Sequence, residues 1–325
     1  MQSQKRYPGS RPFTPDYTHL FFGRDEDISK LSRFINAEKL SILYGKSGLG
    51  KSSLLNAGVV PHLKTEGYQH IPARFGSYTE DTVLMPLDVL AQAIVKEAPE
   101  DNYLKSIEAD DISLWQHLKG LQYENKEKSS ILLVLDQFEE LFTYPEEDYR
   151  TFAATLAKLL NGQMPRRFKR NLRRKVSEDE SLLSDEEWAW MDKSIDLHVV
   201  IAIRSDKMSL LNKLTDSIPN ILLNCYELMP LTPGQARDAI TQPAQLEGAF
   251  ASPAFTFDEE TVDKMLLYLT QGGSRYIESF QLQILCQFVE ERLVLKKGLT
   301  TICPDDLGEL ESVYQDYYDL HIRDL

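Results

Sequence analysis

Residues 45–52 read Gly-Lys-Ser-Gly-Leu-Gly-Lys-Ser, a spacing of glycine, lysine and serine that suits a polyphosphate. The segment matches the loop pattern GxxxxGK[ST] and follows an apolar, strand-like run, residues 40–44. Glycines let backbone N–H groups face an anion, and a following helix directs its positive end to the same point. Lys51 is expected to reach the β- and γ-phosphates, and the Ser52 hydroxyl to bind Mg²⁺. The predicted nucleotide contacts in this loop are Gly45, Lys46, Ser47, Gly48, Leu49, Gly50, Lys51, Ser52 and Ser53.

A second group of candidates follows the apolar run 131–135. Asp136 ends this run, where a carboxylate needs a cation or a hydrogen-bond donor, so we predict that it holds Mg²⁺ together with Ser52. Glu139 and Glu140 come next, and either could polarise an attacking water; both also fit ordinary exposed acids at the start of a helix. Of the two, Glu140 is preferred as the catalytic base.

Arg204 ends another apolar run, residues 198–203, and is a candidate catalytic residue. Its planar guanidinium could bind or sense the γ-phosphate, because it can donate two parallel hydrogen bonds to phosphate oxygens. The alternative role is a salt bridge to Asp206 or Asp136.

The segment ahead of the loop offers a site for the base of the nucleotide. Phe22, Gly23 and Arg24 stand at a corner before a predicted helix, where aromatic side chains and backbone amides suit an adenine ring. Periodicity alone would make Phe21 and Phe22 core residues.

Five strand candidates alternate with helical stretches, which predicts an α/β fold with a parallel sheet covered on both faces. The candidates are residues 39–45, 68–76, 131–136, 198–204 and 221–228. The runs 131–135 and 197–203 are almost wholly apolar, as expected of central strands. Beyond residue 231 helical periodicity prevails and no further strand is predicted. We therefore expect a nucleotide-binding domain over 1–230 and a helical subdomain over 231–325.

Residues 166–175 carry seven bases in ten positions, and residues 177–187 are acidic. They belong to a connection of about 162–194 that is too long for a plain crossover between strands. Such a block is typical of a solvated, mobile insertion. The alternative is a contact with polyphosphate, nucleic acid or a neighbouring subunit. We expect the block to project from the sheet edge near the nucleotide.

The composition excludes several classes of protein. The chain has 325 residues and a net charge of −14, which argues against a surface that binds nucleic acid or membrane throughout. No apolar run approaches the roughly 20 residues of a membrane span, so a cytoplasmic protein without a membrane partner is predicted. Three distant cysteines do not form a disulfide framework, and six histidines show no metal-binding spacing.

These motifs, in this order, resemble the STAND group of signal-transduction P-loop ATPases, and within it the bacterial novel STAND NTPases. The resemblance extends over nearly the whole chain and is carried by residues 7–13, 21–27, 45–52, 133–142, Arg204, 228–232 and 239–240. It implies an AAA+/NACHT-like core with a five-stranded sheet in the order 5-1-4-3-2 and a helical subdomain. It also implies the roles given above to Lys51, Ser52, Asp136, Glu139, Glu140 and Arg204. Residues 277–279 lie where relatives commonly carry a Gly-x-Pro-like motif against the adenine, with Ser279 in place of the proline.

The resemblance implies a switch that binds ATP and hydrolyses it slowly. ADP would hold the helical subdomain closed, and Mg·ATP would favour an open form that self-associates, in bacterial defence or stress signalling. Relatives continue into winged-helix and sensor domains; this chain ends at Leu325, so a fragment of a larger sensor, or a core that works with separate sensor or effector proteins, is expected. Two alternatives remain: a nucleotide-dependent scaffold with negligible turnover, and a nucleic-acid-remodelling ATPase that uses residues 166–175.

Overall fold

A five-stranded parallel sheet with the order β2-β3-β4-β1-β5 is the central element of the computed structural model. The structure describes residues 4–98, 113–124, 130–179, 182–270, 276–311 and 313–314. The strands are β1 (Leu40–Gly45), β2 (Tyr68–Arg74), β3 (Ser130–Asp136), β4 (Leu197–Arg204) and β5 (Cys225–Glu227). The predicted α/β fold and strand order are confirmed. The last strand is shorter than predicted, because residues 221–224 form turns that leave Leu223 72% exposed.

Helices alternate with the strands along the chain. The α-helices are α1 (Asp25–Ala37), α2 (Lys51–Ser53), α3 (Val60–Thr65), α4 (Pro86–Glu97), α5 (Leu114–Glu124), α6 (Glu146–Asn161), α7 (Arg166–Glu178), α8 (Asp185–Asp192), α9 (Pro233–Gln245), α10 (Glu259–Leu269) and α11 (Ser279–Phe288). Stretches of π-helix, Leu54–Val59 and Val289–Leu295, join α2 to α3 and extend α11. The 3-10 helices are Pro15–Leu20, Phe138–Thr143, Ser205–Leu214 and Pro304–Leu307. No helix within the described ranges is long and apolar enough to cross a membrane.

The chain divides into two compact units, and the division does not follow the order of the sequence. The first unit comprises Met1–Lys30, Gly45–Pro61 and Leu228–Leu325; the second comprises Leu31–Tyr44 and His62–Glu227. The phosphate loop therefore groups with the N-terminal segment and the C-terminal helices. The sequence-based division at residues 230 and 231 stays a prediction.

The sheet supplies the core of the second unit. Strands β3 and β4 are buried along almost their whole length, as their apolar sequences require of strands covered on both faces. Their register pairs Leu133 with Val199 and Leu135 with Ile201. At the end of the sheet the rings of Phe75, Phe138 and Phe152 pack on one another with centroids 5.4–6.0 Å apart.

The first unit has its own apolar core, and its N-terminal segment is attached by buried polar groups. Glu290 is fully buried, and its carboxylate accepts the backbone N–H groups of Arg6 (3.0 Å) and Tyr7 (3.2 Å) and the hydroxyl of Ser252 (2.7 Å). The guanidinium of Arg6, itself 1% exposed, donates to backbone carbonyls, including that of Pro243 at 2.7 Å. Because buried charges are costly unless they are hydrogen-bonded, this network fixes the N-terminal segment in place.

A small two-stranded parallel pair in the first unit was not predicted. It consists of β6 (Thr256–Phe257) and β7 (Thr301–Ile302). The expectation of no strand beyond residue 231 is therefore wrong. Strands of two residues are too short to show the alternation by which strands are recognised in a sequence.

The basic residues 166–175 form part of α7, which is packed on the core of the second unit. Phe168 and Leu172 are buried, and the ring of Phe168 lies 5.8 Å from that of Trp115. Trp115 Nε1 donates to the carbonyl of Gly162, whose oxygen also accepts the N–H of Ile195 just before β4 begins. This places the start of α7 at the amino edge of the sheet. The expectation of a solvated insertion is wrong, because Phe168 and Leu172 pack on the core. The expected position near the nucleotide is also wrong, because α6 returns the chain to the opposite edge of the sheet before α7 starts.

A buried lysine in the second unit should make stability depend on pH. Lys119 is 1% exposed, donates to the carbonyl of Lys193 (2.7 Å) and lies 4.3 Å from the ring centroid of Trp190. Burial, reinforced by the charge of Lys193, lowers the pKa of Lys119 to about 8. The unfolded chain therefore binds more protons than the folded chain between about pH 8 and the ordinary lysine value near 10.4.

We expect the free energy of unfolding of the wild type, relative to Lys119→Met, to rise by roughly 2 kcal/mol from pH 7 to pH 10. Denaturant unfolding at several pH values measures this, and the difference between the two proteins removes contributions from other titrating groups. Parallel curves for the two proteins over this range would contradict the prediction.

Candidate functional site

The phosphate loop begins at the last residue of β1 and ends at the first turn of α2. Gly48 (φ 81°) and Gly50 (φ 89°) adopt the left-handed conformation that only glycine adopts without strain. A Cβ on Gly45 would lie 2.9 Å from the carbonyl oxygen of Leu228, so a side chain is excluded there. The three glycines of the loop are thus each required by the structure: two by their own φ, and Gly45 by the neighbouring carbonyl.

Lys51 is positioned by the loop itself. Its Nζ donates to the carbonyls of Gly45 (2.9 Å) and Lys46 (3.1 Å), so the ammonium lies over the loop rather than extending away from it. Ser52 follows at the second position of α2 and is partly exposed. Ser53 is buried, and its hydroxyl accepts the N–H of Phe13 (3.1 Å), so this side chain fixes the N-terminal segment.

The predicted base-binding corner lies in the same unit. Gly23 (φ 80°) packs so closely on α9 that a Cβ would lie 2.2 Å from the carbonyl oxygen of Gln235. Phe22 is half-buried beside it. The adjacent Phe21 packs on Phe13 with ring centroids 5.1 Å apart. This contact agrees with the alternative that Phe21 is a core residue.

Arg24 is only 4% exposed and links several segments of the first unit. One terminal nitrogen donates to Asp27 (2.9 Å) and to the carbonyl of Met229 (2.8 Å). The other donates to the carbonyl of Leu49 in the phosphate loop (3.2 Å) and to the hydroxyl of Ser279 (3.1 Å). The side chain therefore supports the loop and the start of α11. In the sequence, the feature that points to this role of Arg24 is Ser279, which stands where relatives commonly have proline and which accepts a hydrogen bond from Arg24.

In the second unit, Asp136 ends β3 at the carboxyl edge of the sheet. Asp136 Oδ1 accepts a hydrogen bond from the backbone N–H of Gln137 (3.0 Å). Gln137 has a left-handed φ of 54°, which is rare for a residue with a side chain. The side-chain oxygen of Gln137 accepts a hydrogen bond from Arg74 Nε (2.8 Å). Backbone strain of this kind is concentrated at functional sites, and nothing in the sequence announces it.

The two glutamates diverge. Phe138 and Leu141 are fully buried and fix the 3-10 helix, which leaves Glu139 and Glu140 at its partly exposed surface. Glu139 Oε2 accepts the backbone N–H of Arg204 (3.3 Å) at the end of β4. Glu140 Oε2 accepts the hydroxyl of Ser77 (2.5 Å), in the segment that follows β2. Each glutamate thus faces a different neighbour of β3.

Arg204 forms a salt bridge to Asp206, as the alternative interpretation of this residue predicts. Its Nε and a terminal nitrogen donate to the two carboxylate oxygens at 3.0 and 2.9 Å, with both side chains about half exposed. This carboxylate raises the pKa of Arg204, and the guanidinium lowers the pKa of Asp206. Because the pair is exposed, an anion of higher charge can compete for the guanidinium.

Comparison with known proteins identifies the family. Residues 7–272 match the family Novel STAND NTPase 1. The chain belongs to this family. The resemblance inferred from the motifs is thereby confirmed. No curated protein sequence matches the chain significantly.

Solved structures show that this novel STAND NTPase has the fold of P-loop ATPases. The Walker-type ATPase PABY2304 of Pyrococcus abyssi matches 97% of this chain and 77% of its own, with 13% identity and a TM-score of 0.55. The ADP form of the Aeropyrum pernix ORC2 protein matches 90% and 69%, with 13% identity and a TM-score of 0.50. Cdc6p of Pyrobaculum aerophilum matches 87% and 65%, with 14% identity and a TM-score of 0.50. At these identities the likeness concerns the fold alone.

The residues of the loop fit a nucleotide. Two left-handed glycines, a lysine folded over the loop and a helix that starts at Lys51 are the features that polyphosphate binding requires. The first unit brings together Lys51, Leu49 and Arg24; the second brings together Glu139 and the backbone of Arg204. The hydroxyl of Ser52 and the carboxylate of Asp136 are oxygen donors of the kind that Mg²⁺ prefers.

Proposed function

We propose that this novel STAND NTPase binds Mg·ATP through residues 45–52 and hydrolyses it slowly, as a nucleotide-controlled switch. The observation that supports this most directly is the loop in which Lys51 is held by two carbonyls of its own backbone. An arriving phosphate replaces these carbonyls as the partner of the ammonium, which therefore needs no rearrangement of the chain. The structure of the similar ORC2 protein was solved in an ADP form, which supports an adenine nucleotide as the proposed ligand of this chain.

Asp136 and Ser52 are proposed to hold the magnesium ion, which when bound would neutralise charge on the phosphates. Lys51 and the loop amides orient the β- and γ-phosphates. Arg204 is proposed to bind the γ-phosphate in exchange for part of its contact with Asp206. Phe22 and Gly23 are proposed to line the place of the base, and Arg24 to position the loop.

Glu139 is the better candidate for the base that polarises water, which reverses the preference based on sequence. Its carboxylate lies at the carboxyl end of β4, the strand next to β1, from which the phosphate loop continues. Glu140 instead bonds to Ser77 after β2, the far edge strand. A base must come within hydrogen-bond reach of the water that attacks the phosphate.

The switch itself is proposed to act through α11. Arg24 connects the phosphate loop to the start of this helix by bridging Leu49 and Ser279. Gly48 also lies close to the helix, because a Cβ added to it would come within 3.5 Å of the Cβ of Phe280. A nucleotide that changes the loop would change these contacts, and only such differential contacts can shift a conformational equilibrium. Self-association in the ATP form, a sensor or effector partner, and a role in bacterial defence or stress signalling are part of the proposal.

Single-turnover hydrolysis of Mg·ATP tests the assignment of the base. We expect Glu139→Gln to slow hydrolysis by about 100-fold or more, because a general base contributes roughly 10²–10⁴ in rate, and Glu140→Gln to slow it less than about tenfold. Both variants should keep the thermal stabilisation by Mg·ATP, which shows that binding is intact. A larger loss in Glu140→Gln would reverse the assignment. A wild type that binds but never hydrolyses ATP would favour the scaffold with bound nucleotide.

A further inference from the structure

Helix α7 presents one face composed of arginine. The five residues are exposed and form the arginine face: Arg166, Arg167, Arg170, Arg173 and Arg174. At about 100° per residue they fall within a sector of roughly 120° around the helix axis. The buried Phe168 and Leu172 lie on the opposite side, at about 180° from the centre of that sector. From Arg166 to Arg174, the side of α7 that faces away from the core is therefore cationic.

The stability of the helix does not explain this arrangement. Arg166 and Arg170, and Arg170 and Arg174, are like-charge pairs at i,i+4, each of which destabilises a helix by about 0.2–0.5 kcal/mol. Arg166 and Arg167 also stand in the first turn, where the helix dipole disfavours positive charge and where α7 has no acidic residue. A face that only needs to be soluble would mix both signs.

Within the part of the chain that the structure describes, most of the arginine face has no ion-pair partner. Among the described residues, Arg166, Arg167, Arg170 and Arg174 form no ion pair, whereas Lys169 on the flank of the helix pairs with Asp192. Arg173 acts on the same Asp192 from a greater distance; the lysine, and less strongly this arginine, lower the pKa of Asp192. Among these described contacts, the helix uses a lysine for its ion pair, and four of the five arginines keep their charge exposed.

The charge density of the arginine face matches nucleic acid. Its five charges are spread over eight residue steps, about 12 Å of helix axis or one charge per roughly 3 Å. One strand of a duplex carries one phosphate per about 3.4 Å of its axis. Guanidinium groups also bind phosphate oxygens in pairs, which ammonium groups cannot do. The net charge of −14 makes this local face the more distinct.

We propose that the arginine face of α7 binds the phosphate backbone of nucleic acid. This proposal goes beyond the proposed nucleotide switch and does not depend on it. The face lies on the second unit at the amino edge of the sheet, whereas Asp136 and Arg204 end their strands at the carboxyl edge. Binding should be insensitive to sequence, because a row of phosphate contacts reads no base.

The test is binding of the full chain to labelled duplexes of about 20 base pairs, followed by fluorescence anisotropy from about 50 to 200 mM salt. The variant Arg166→Gln/Arg170→Gln/Arg174→Gln is compared with a control that loses the same charge at exposed lysines elsewhere, Lys96→Gln/Lys296→Gln/Lys297→Gln. We expect the arginine variant to bind at least about tenfold more weakly and to lose about 2.7 from the slope of log K against log salt, and the control to keep both. Arg166→Lys/Arg170→Lys/Arg174→Lys should keep most of the binding, since the charge remains.

Three results would overturn the proposal: no binding by the wild type at about 50 mM salt, an equal loss in the lysine control, or a loss without a change in salt slope. Binding to vesicles of anionic lipid, or self-association that the arginine variant abolishes, in the absence of nucleic-acid binding, would assign the face to a different partner. Unchanged thermal unfolding and unchanged stabilisation by Mg·ATP show that the variants are folded and that the nucleotide site is unaffected.

Discussion

Lys51→Ala abolishes the stabilisation that Mg·ATP gives the wild-type protein; this is the largest effect that we expect from a single substitution. With ATP at about a hundred times its Kd, binding adds roughly 2.7 kcal/mol to the free energy of unfolding. Lys51 is the cation that the loop holds in place through the carbonyls of Gly45 and Lys46, and its removal leaves the phosphates without a fixed counter-charge. Thermal unfolding with and without nucleotide, together with calorimetric titration, measures the loss.

Lys46→Ala is the matched control, because Lys46 is an exposed lysine of the same loop whose contribution to phosphate binding is expected from its backbone alone. It should keep most of the stabilisation. The apo form of Lys51→Ala should unfold at about the wild-type temperature, since water can replace the Lys51 ammonium as the partner of the carbonyls of Gly45 and Lys46. Full stabilisation of Lys51→Ala by Mg·ATP would refute the phosphate-loop assignment and, with it, the proposed function.

Arg24→Met lowers the free energy of unfolding of the protein without nucleotide by about 3 kcal/mol. The guanidinium satisfies Asp27, two backbone carbonyls and the hydroxyl of Ser279 in an almost fully buried place. Removing one partner of such a buried charged network typically costs about 3–5 kcal/mol, because the other groups remain desolvated. Urea unfolding of the apo protein measures this effect.

Two comparisons isolate the buried network. Arg11→Met changes an exposed arginine of the same unit and should cost under about 0.5 kcal/mol. Arg24→Lys should recover little of the stability, because a single ammonium cannot serve four acceptors in two directions. If Arg24→Met leaves the apo protein as stable as the wild type and only weakens nucleotide binding, Arg24 contacts the nucleotide and does not support the loop.

The sheet is the part of the fold that the sequence predicts best. Buried parallel strands such as β3 and β4 are continuous apolar runs bounded by polar residues, and their order follows the resemblance to a known family. The phosphate loop is equally predictable from its motif. The positive φ of Gly48 and Gly50 is a local backbone requirement, whereas Gly45 is also required by the carbonyl of Leu228. Buried strands and left-handed glycines can be recognised from neighbouring residues, so their prediction needs no knowledge of tertiary contacts.

The remaining features depend on contacts between distant residues. Arg24 meets Ser279 across 255 positions, and Glu139 meets the backbone of Arg204 across 65. The left-handed backbone of Gln137 arises from its surroundings, since glutamine has no preference for that conformation. The seven charges of the block 166–175 predict a solvated insertion, whereas two apolar residues among them, Phe168 and Leu172, anchor it to the core. Its edge of the sheet follows from the contact of Gly162 with Ile195, which the sequence does not reveal.

The attachment of the N-terminal segment has a consequence for the synthesis of the chain. Arg6 leaves the ribosome 284 residues before Glu290, the carboxylate that its backbone requires. At about 5–20 residues per second, that interval lasts roughly 15–60 seconds. The second unit can form within this time, but the first unit, and the phosphate loop within it, cannot be completed until residues of Leu228–Leu325 have been synthesised. Nascent chains therefore complete the first unit, with its phosphate loop, only after the second unit, although Gly45–Pro61 is synthesised before most of that second unit.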